Sequence, residues 1–399
     1  MKIVLYDSNL YEAGGEERLM LEHARFLQNQ GHDVSVLTYF FHPDALFGKY
    51  SDIPITALSN HRQPVHLCVR EKLKLIFTLR SVLRKLRPDL VIGQLIADCS
   101  ILYLVTLFSR TRYITHIHGT IMWFPNEMTK YSFLHRRVMR TLRKRVAGHR
   151  QFYPEHRRAP TIMAALKREF TAWIRYIGVR KAAAVFTLSQ LMADEIRSLY
   201  NKKAVVLQGA YETAIFHHRV RHSIKADLKL SGKRIILNIN RLDPRKRIEL
   251  LIQAFALVHD TIEDTYLVIG GTGAKAQHYQ DMVRDMGLSR VLFIGFVPEE
   301  KLLDYYATSD LFVHPNWADY AIAVYEALAM GTKVLCSTEM EFEEGLVAST
   351  QLFVAEPCPE DFSTAIIHAL EQPNDNPVPR ELLEQYTWDH YFTEIGNYF

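Results

Sequence analysis

The chain has 399 residues, of which 48% are hydrophobic and 23% charged, and its formal net charge is +4. These proportions exclude disorder, collagen and coiled coil, and the length suggests two domains or more. No run of about 18 uncharged apolar residues is present, so no membrane-spanning helix is expected. The apolar run at the start is too short for a signal-peptide core. Cys68, Cys99, Cys336 and Cys358 are scattered without a CxxC pair, which argues against a disulfide or zinc framework and fits a reducing compartment. Charge is unevenly spread. Between Lys130 and Lys181, fifteen lysines and arginines face only Glu155 and Glu169, and the rest of the chain is net negative. A segment of this kind calls for an anionic partner: a membrane, a phosphate-bearing substrate or nucleic acid.

In chain order, Ile3–Tyr6 reads as a short strand and Ala13-Gly14-Gly15 as a turn. Met20, Ala24 and Leu27 follow at helical spacing, with Gly31 as C-cap. Val34–Tyr39, Leu90–Gly93 and Tyr113–His118 are further strands. The rhythm breaks between about Ile121 and Arg180 and resumes at Ala183–Leu188 and Ala204–Leu207. After a connecting region it restarts with Arg234–Asn240, followed by a helix on Ile248, Leu251, Ile252 and Phe255. Tyr266–Gly270, Arg290–Gly295, Leu311–His314 and Lys333–Cys336 complete the strands. This β-α-β rhythm with continuous apolar strands predicts two doubly wound parallel α/β domains joined near residue 210, with ligands bound beyond the carboxyl ends of the strands.

Several segments have residue types suited to chemistry. Arg241, Arg245, Lys246 and Arg247 lie between a strand end and a helix start, where they could clamp a diphosphate with help from the helix N-terminus. A solvated basic turn is the competing reading. Gly270-Gly271-Thr272-Gly273 closes the next strand and permits close backbone approach to a ligand, although strand-to-helix turns favour glycine anyway. Glu326 falls in a small, apolar helix and should face a ligand or a buried partner, since burying it alone is costly. A ribose diol would suit it, and a helix-surface position is the alternative. Strand alternation places His116 and His118 on one face. No nearby Cys or carboxylate completes a tetrahedral metal set, which leaves one hydrogen-bonding histidine at the binding cleft or a structural one. Leu134, Val138, Leu142 and Val146 recur every four residues among Arg136, Arg137, Arg140, Arg143, Lys144 and Arg145. The pattern fits an interfacial amphipathic helix or a solvated helix packed by its stripe, and no nucleic-acid motif accompanies it.

Taken together, the motifs resemble the family-4 retaining glycosyltransferases of the GT-B fold, most strongly from Arg234 to about Tyr391. Asn240-Arg241-Leu242 followed by Lys246 is similar to the family's Gly-Arg-Leu…Lys-Gly turn, Gly270–Gly273 to its glycine turn, and Val291–Val297 to the strand beside the base. Glu326–Thr332 is similar to the helix carrying the ribose-binding Glu, and Tyr386–Asp389 to the start of the final helix. Gly14-Gly15-Glu16-Glu17-Arg18 resembles the loop beside the donor phosphates, and His118-Gly119 the strand-end His-Gly whose histidine contacts the sugar. The resemblance implies that Arg241 and Lys246 hold the leaving diphosphate and that His118 orients the sugar. It further implies that Gly14, Gly15, Gly271, Val297, Asp319, Tyr320, Ala321, Ile322 and Glu326 line the donor. Three departures stand out. Ala318, eight residues before Glu326, occupies the first Glu position. Tyr320-Ala321 replaces Phe-Gly, and Ser337–Glu341 lacks the usual Gly-Gly.

The expectation is therefore a GT-B α/β protein, with two Rossmann-like domains facing across a cleft. Residues 1–210 form an acceptor-side domain with a basic insert at about 121–181, residues 211–380 the donor domain, and residues 381–399 a helix crossing back. The implied activity is transfer of a sugar from a nucleoside-diphosphate sugar to a hydroxyl acceptor, with retention. With no Asp-x-Asp motif, no catalytic metal and no cofactor are expected, the nucleotide sugar being a substrate. The acceptor is expected to be a lipid-linked or membrane glycoconjugate. The protein would sit on the cytoplasmic face of a membrane, with Arg136, Arg137, Arg140, Arg143 and Lys144 on the anionic surface and no nucleic-acid partner. A non-catalytic nucleotide-sugar-binding scaffold and a sugar-nucleotide epimerase of the same fold are the alternatives.

Overall fold

The short aliphatic runs of the sequence become parallel strands whose middle residues are mostly apolar, because helices cover both of their faces. The computed structural model describes residues 1–11, 15–46, 49–59, 69–119, 162–316 and 320–399. Contacts divide the chain into one unit of Met1–Gln208 with Tyr391–Phe399 and a second of Gly209–His390.

In the first unit, β1 (Lys2–Leu10), β2 (Asp33–Phe41), β3 (Ile55–Ala57), β4 (Leu90–Gly93), β5 (Arg112–Ile117), β6 (Val185–Thr187) and β7 (Val205–Val206) form a parallel sheet in the order β3-β2-β1-β4-β5-β6-β7. β1 lies inside the sheet, pairing Ile3 with Val34 on one side and with Leu90 on the other. The helices are α1 (Gly15–Asn29), α2 (Val69–Leu86), α3 (Asp98–Thr106), α4 (Ile162–Lys181) and α5 (Gln190–Tyr200). Helix α1 carries Glu16 and Glu17 in its first turn, where the helix dipole favours them. After it the chain turns at Gly31, with φ +78°. Helix α5 is capped by Ser189, whose side chain accepts from Met192 N. Gly178 lets α4 lie directly on α3: a Cβ there would stand 2.4 Å from Cys99 O.

The second unit holds β8 (Arg234–Ile239), β9 (Thr265–Gly270), β10 (Val291–Gly295), β11 (Leu311–His314), β12 (Val334–Ser337) and β13 (Leu352–Ala355), in the order β10-β9-β8-β11-β12-β13. Its main helices are α6 (Ile248–His259), α7 (Ala276–Asp285), α8 (Glu299–Thr308), α9 (Ile322–Ala329) and α10 (Pro359–Glu371). Alternate strand residues feed two cores. Ile236, Leu267, Ile269 and Val313 pack with Phe255 of α6 and Phe362 of α10. Leu237, Val268 and Phe312 pack with Tyr306 of α8 and Val324 of α9. Each such aliphatic or aromatic burial contributes roughly 1.5–3 kcal/mol. The strand order reverses between β1 and β4 in one unit and between β8 and β11 in the other. Doubly wound sheets bind ligands beyond the carboxyl ends of the strands at such reversals.

Candidate functional site

In the second unit, β8 ends at Ile239 and a single 3-10 turn, Pro244–Lys246, leads into α6. Asp243 caps that turn, its Oδ1 accepting from Arg245 N at 2.9 Å. The same carboxylate pairs with Arg245 at 3.4 Å and Arg241 at 3.7 Å. The Arg241 side chain is 54% exposed, so its guanidinium stays within reach of solvent. Lys246 is turned inward. Burial lowers its ammonium from the ordinary 10.5 to about 8, outweighing the nearby Asp243 carboxylate. The Asn316 amide, oriented so that both of its ends are satisfied, accepts from Lys246 Nζ and His314 Nε2 at 2.9 Å each and donates to Lys246 O at 3.1 Å. His314 ends β11 and is held neutral, well below the usual histidine range, by burial and then by the Lys246 charge. The ammonium therefore stands at the β8/β11 reversal, partly stripped of water.

The glycine turn after β9 is locked onto this basic turn. Leu242 N donates to Thr272 O at 2.8 Å and Lys275 N to Leu242 O at 3.1 Å. Gly271 has φ +118°, and a Cβ there would fall 1.8 Å from Asn240 O. One on Gly273 would fall 2.4 Å from Leu242 O. No other residue permits this contact. Val297, just past β10, is buried with its Cγ2 2.9 Å from where a Gly270 Cβ would be. Ala321 occupies the N-cap of α9 in an extended conformation and has no side chain to cap the first N–H groups. Tyr320 stacks on Tyr325 with ring centroids 4.8 Å apart. Glu326 lies one turn inside the helix and is 3% exposed, which settles the surface alternative in favour of a buried carboxylate. Ile322 is the first residue of α9.

The fourth cation of the basic turn does not join a clamp. Arg247 has φ +50°, a left-handed backbone that usually falls to glycine, and it is 3% exposed. Its guanidinium pairs bidentately with Glu339, Nη2 to Oε1 at 3.1 Å and Nη1 to Oε2, and Nη1 also reaches Pro315 O at 3.4 Å. Ser337 Oγ donates to the same carboxylate at 3.0 Å. The segment without Gly-Gly thus carries the counter-charge for an arginine that stands where the resembled turn has glycine.

In the first unit, His118 follows β5, and its Nε2 donates to Gln94 Oε1 at 3.0 Å, leaving Nδ1 with the lone pair. His116 stacks at 5.9 Å from it and shares a 3.0 Å hydrogen bond with Tyr391 OH. His23 of α1 lies 5.5 Å from His116 and stacks on Phe392 at 4.5 Å. Burial holds all three neutral, with His23 and His118 near 3. Gly15 opens α1. Below it, burial and mutual repulsion push the Asp7, Glu16 and Asp98 carboxyls above the usual range. Among the described residues no group of three or more His, Cys, Asp or Glu side chains could hold a metal ion.

Gly14, Asp319 and the cationic set Arg136, Arg137, Arg140, Arg143 and Lys144 lie outside the described residues. Sequence reasoning did not single out His314, Asn316, Glu339, His23 or the three carboxyls as site residues. The strand-end position of His314 and the Asn two residues later were the available signals. The other partners are distant in sequence.

Comparison with known proteins fits this geometry. Residues 13–214 match the family described as Glycosyltransferase Family 4, and residues 220–385 the one described as Glycosyl transferases group 1. An uncharacterized glycosyltransferase of Methanocaldococcus jannaschii is 24% identical over 240 residues, which is 56% of this chain and 61% of that protein. O-antigen chain mannosyltransferase B of Escherichia coli is 26% identical over 185 residues, 42% of this chain and 46% of that protein. The matches thus span only about half to three-fifths of these relatives' own lengths. Among solved structures, Anabaena HepE in complex with UDP matches with a TM-score of 0.72 at 15% identity, covering 100% of this chain and 99% of that one, and places the fold in the GT-B class. Glycosyltransferase matches cover both halves, the longer of them takes in more than half of the residues, and the chain belongs to glycosyltransferase family 4.

Proposed function

We propose that this glycosyltransferase moves a sugar from a nucleoside-diphosphate donor to a hydroxyl of a membrane or lipid-linked glycoconjugate, with retention and without a metal ion or other cofactor. The observation that carries the reading is the partly buried Lys246 ammonium, held by Asn316 at the β8/β11 reversal beside a close-packed glycine turn. At neutral pH it is mostly protonated. A departing diphosphate gains negative charge as the sugar–oxygen bond breaks, and a desolvated cation responds to that change more strongly than one in water. Arg241 and the first N–H groups of α9 add to the same field. Glu326 holds the ribose, with Gly271, Val297, Tyr320, Ala321 and Ile322 around the nucleotide, joined by Asp319. Gly14 and Gly15 serve the phosphates. The neutral His118 orients the sugar through hydrogen bonding, and the leaving phosphate takes the acceptor proton.

A nucleoside-diphosphate donor is supported by HepE's complex with UDP, and a glycan acceptor by the relative named as an O-antigen chain mannosyltransferase. No helix among the described residues is long and apolar enough to cross a membrane, which is compatible with peripheral attachment to the cytoplasmic face. Incubation with a panel of nucleotide sugars, GDP-mannose first, and membrane lipids, read by mass spectrometry, tests the proposal. A new glycosylated lipid is the expected result. Nucleotide binding without any turnover would replace it with the scaffold reading, and an isomerised nucleotide sugar without acceptor with the epimerase reading.

A further inference from the structure

Three crossovers of the first unit step the same way across its sheet: β3 to β4 through α2, β4 to β5 through α3, and β5 to β6 ending in α4. Right-handed connection puts these helices on one face, and α3 packs against both α2 and α4. Helix α1 steps from β1 to β2 in the opposite direction and lies on the other face.

Each helix spends its inner side on the core. Leu75, Leu79 and Leu83 of α2 are buried, as is Val179 of α4. The outer sides are nevertheless aromatic. Phe77 is 70% exposed, Phe170 67% and Trp173 49%, and Phe108, at φ +64° after α3, holds its ring 92% exposed. On α4, Ile162, Leu166, Phe170 and Trp173 follow at spacings of four, four and three and form one solvent-facing stripe. Exposed apolar surface of this extent marks an interaction site. Exposed cations flank it: five in α2 against Glu71, and Lys167, Arg180 and Lys181 in α4 against Glu169. A second copy of the chain seated there would set like charges against each other. An anionic surface with an apolar interior matches both the charge and the rings, and aromatic side chains settle where one end is apolar and the other wet.

We propose that the outer surface of α2, α3 and α4 docks on an anionic lipid bilayer. Phe77, Phe108, Phe170 and Trp173 enter the interfacial layer, and the exposed lysines and arginines of α2 and α4 meet the headgroups. The inference deepens the peripheral-membrane part of the proposed function, but it rests on different residues from the Arg136–Lys144 set. The test is sedimentation of the full chain with vesicles of phosphatidylglycerol and phosphatidylcholine, and with phosphatidylcholine alone. The expected result is binding to the anionic vesicles only. Lys74→Gln, Arg84→Gln and Lys167→Gln together should weaken it about a hundredfold, from about fivefold per cation. Phe77→Ser, Phe170→Ser and Trp173→Ser together should abolish it, with circular dichroism and nucleoside-diphosphate binding unchanged.

Wild-type binding of both triple variants, alongside release of a variant with Gln at Arg136, Arg137, Arg140, Arg143 and Lys144, would overturn this surface and leave peripheral attachment standing. Absence of wild-type binding at low salt would overturn both. Equal binding to neutral vesicles would overturn the charge argument, and a dimer dissociated by the aromatic substitutions would make the face a self-interface instead. Vesicle binding intact in a protein that transfers no sugar would overturn the catalytic reading and leave the docking surface.

Discussion

Replacing Lys246 by methionine should make the unliganded protein more stable while nearly abolishing turnover. The folded state holds this ammonium at about 8 instead of 10.5. An unfolded lysine keeps its proton up to the higher value, so between the two the unfolded chain binds more protons and stability rises with pH. Below about pH 8 the full penalty is present, on the order of 3 kcal/mol. Methionine removes that penalty and keeps an apolar stem. The bond to Asn316 is lost, at about 1 kcal/mol, but His314 Nε2 still donates to that oxygen, so no buried acceptor is stranded. The net gain at pH 7 is about 2 kcal/mol, or a few degrees in Tm, and it should shrink towards zero above pH 10. Turnover should fall about 10²–10³-fold, more than donor binding weakens, because the ammonium meets charge that develops only as the bond breaks. Calorimetry at pH 7 and 10, with steady-state kinetics, checks both halves. A less stable variant at pH 7, an equal gain at both pH values, or an unchanged kcat would refute the reasoning.

The other expectations use the same site. In the wild type, kcat/KM should decline above about pH 8 as the free enzyme loses the Lys246 proton, and kcat should break at higher pH because bound diphosphate draws the proton back. Glu326→Ala should mainly raise the donor KM, since a ribose diol does not change charge during transfer; an equal loss in kcat would move Glu326 into the chemistry. Glu339→Ala should destabilise by about 3 kcal/mol in denaturant titration by removing the bidentate carboxylate from the buried Arg247. The double variant with Arg247→Gly should recover most of that, glycine accepting φ +50° without strain. Activity should survive excess EDTA, and rescue of an EDTA-silenced enzyme by Mg²⁺ or Mn²⁺ would remove the cationic turn from its assigned role.

Most of the sheet was legible because a parallel strand buried on both faces must be a continuous apolar run. Leu90–Gly93 and Leu311–His314 matched residue for residue, the first strand ran four residues past the expected Tyr6, and the other expected strands shifted by one or two positions at their ends. Ile55–Ala57 and Leu352–Ala355 escaped, being three and four residues long at the edges of their sheets, where little burial is demanded. The ends of the strands were legible in a different way. Cations and glycines between a strand end and a helix start stand out by type and position, as Arg241, Lys246 and Gly271 do. What local pattern does not contain is direction. Lys246 and Arg247 are neighbours with the same charge, yet one is steered to an amide on the β11 loop and the other to a carboxylate 92 residues away. That choice is made by one left-handed backbone angle and by which strands flank β8. His23 is parallel: within α1 it reads as one more helical residue, and only the adjacency of β1, β4 and β5 explains a neutral histidine beside His116. Arg247 and Glu339 also both lie where the chain departs from the resembled pattern, Arg247 in place of the turn's glycine and Glu339 in the segment without Gly-Gly. Losing Glu339 alone would remove the bidentate partner of the buried Arg247 guanidinium. The pair is therefore better understood as one unit, an ionic tie joining the loops after β8, β11 and β12, the same loops that carry Lys246, Asn316 and Glu339.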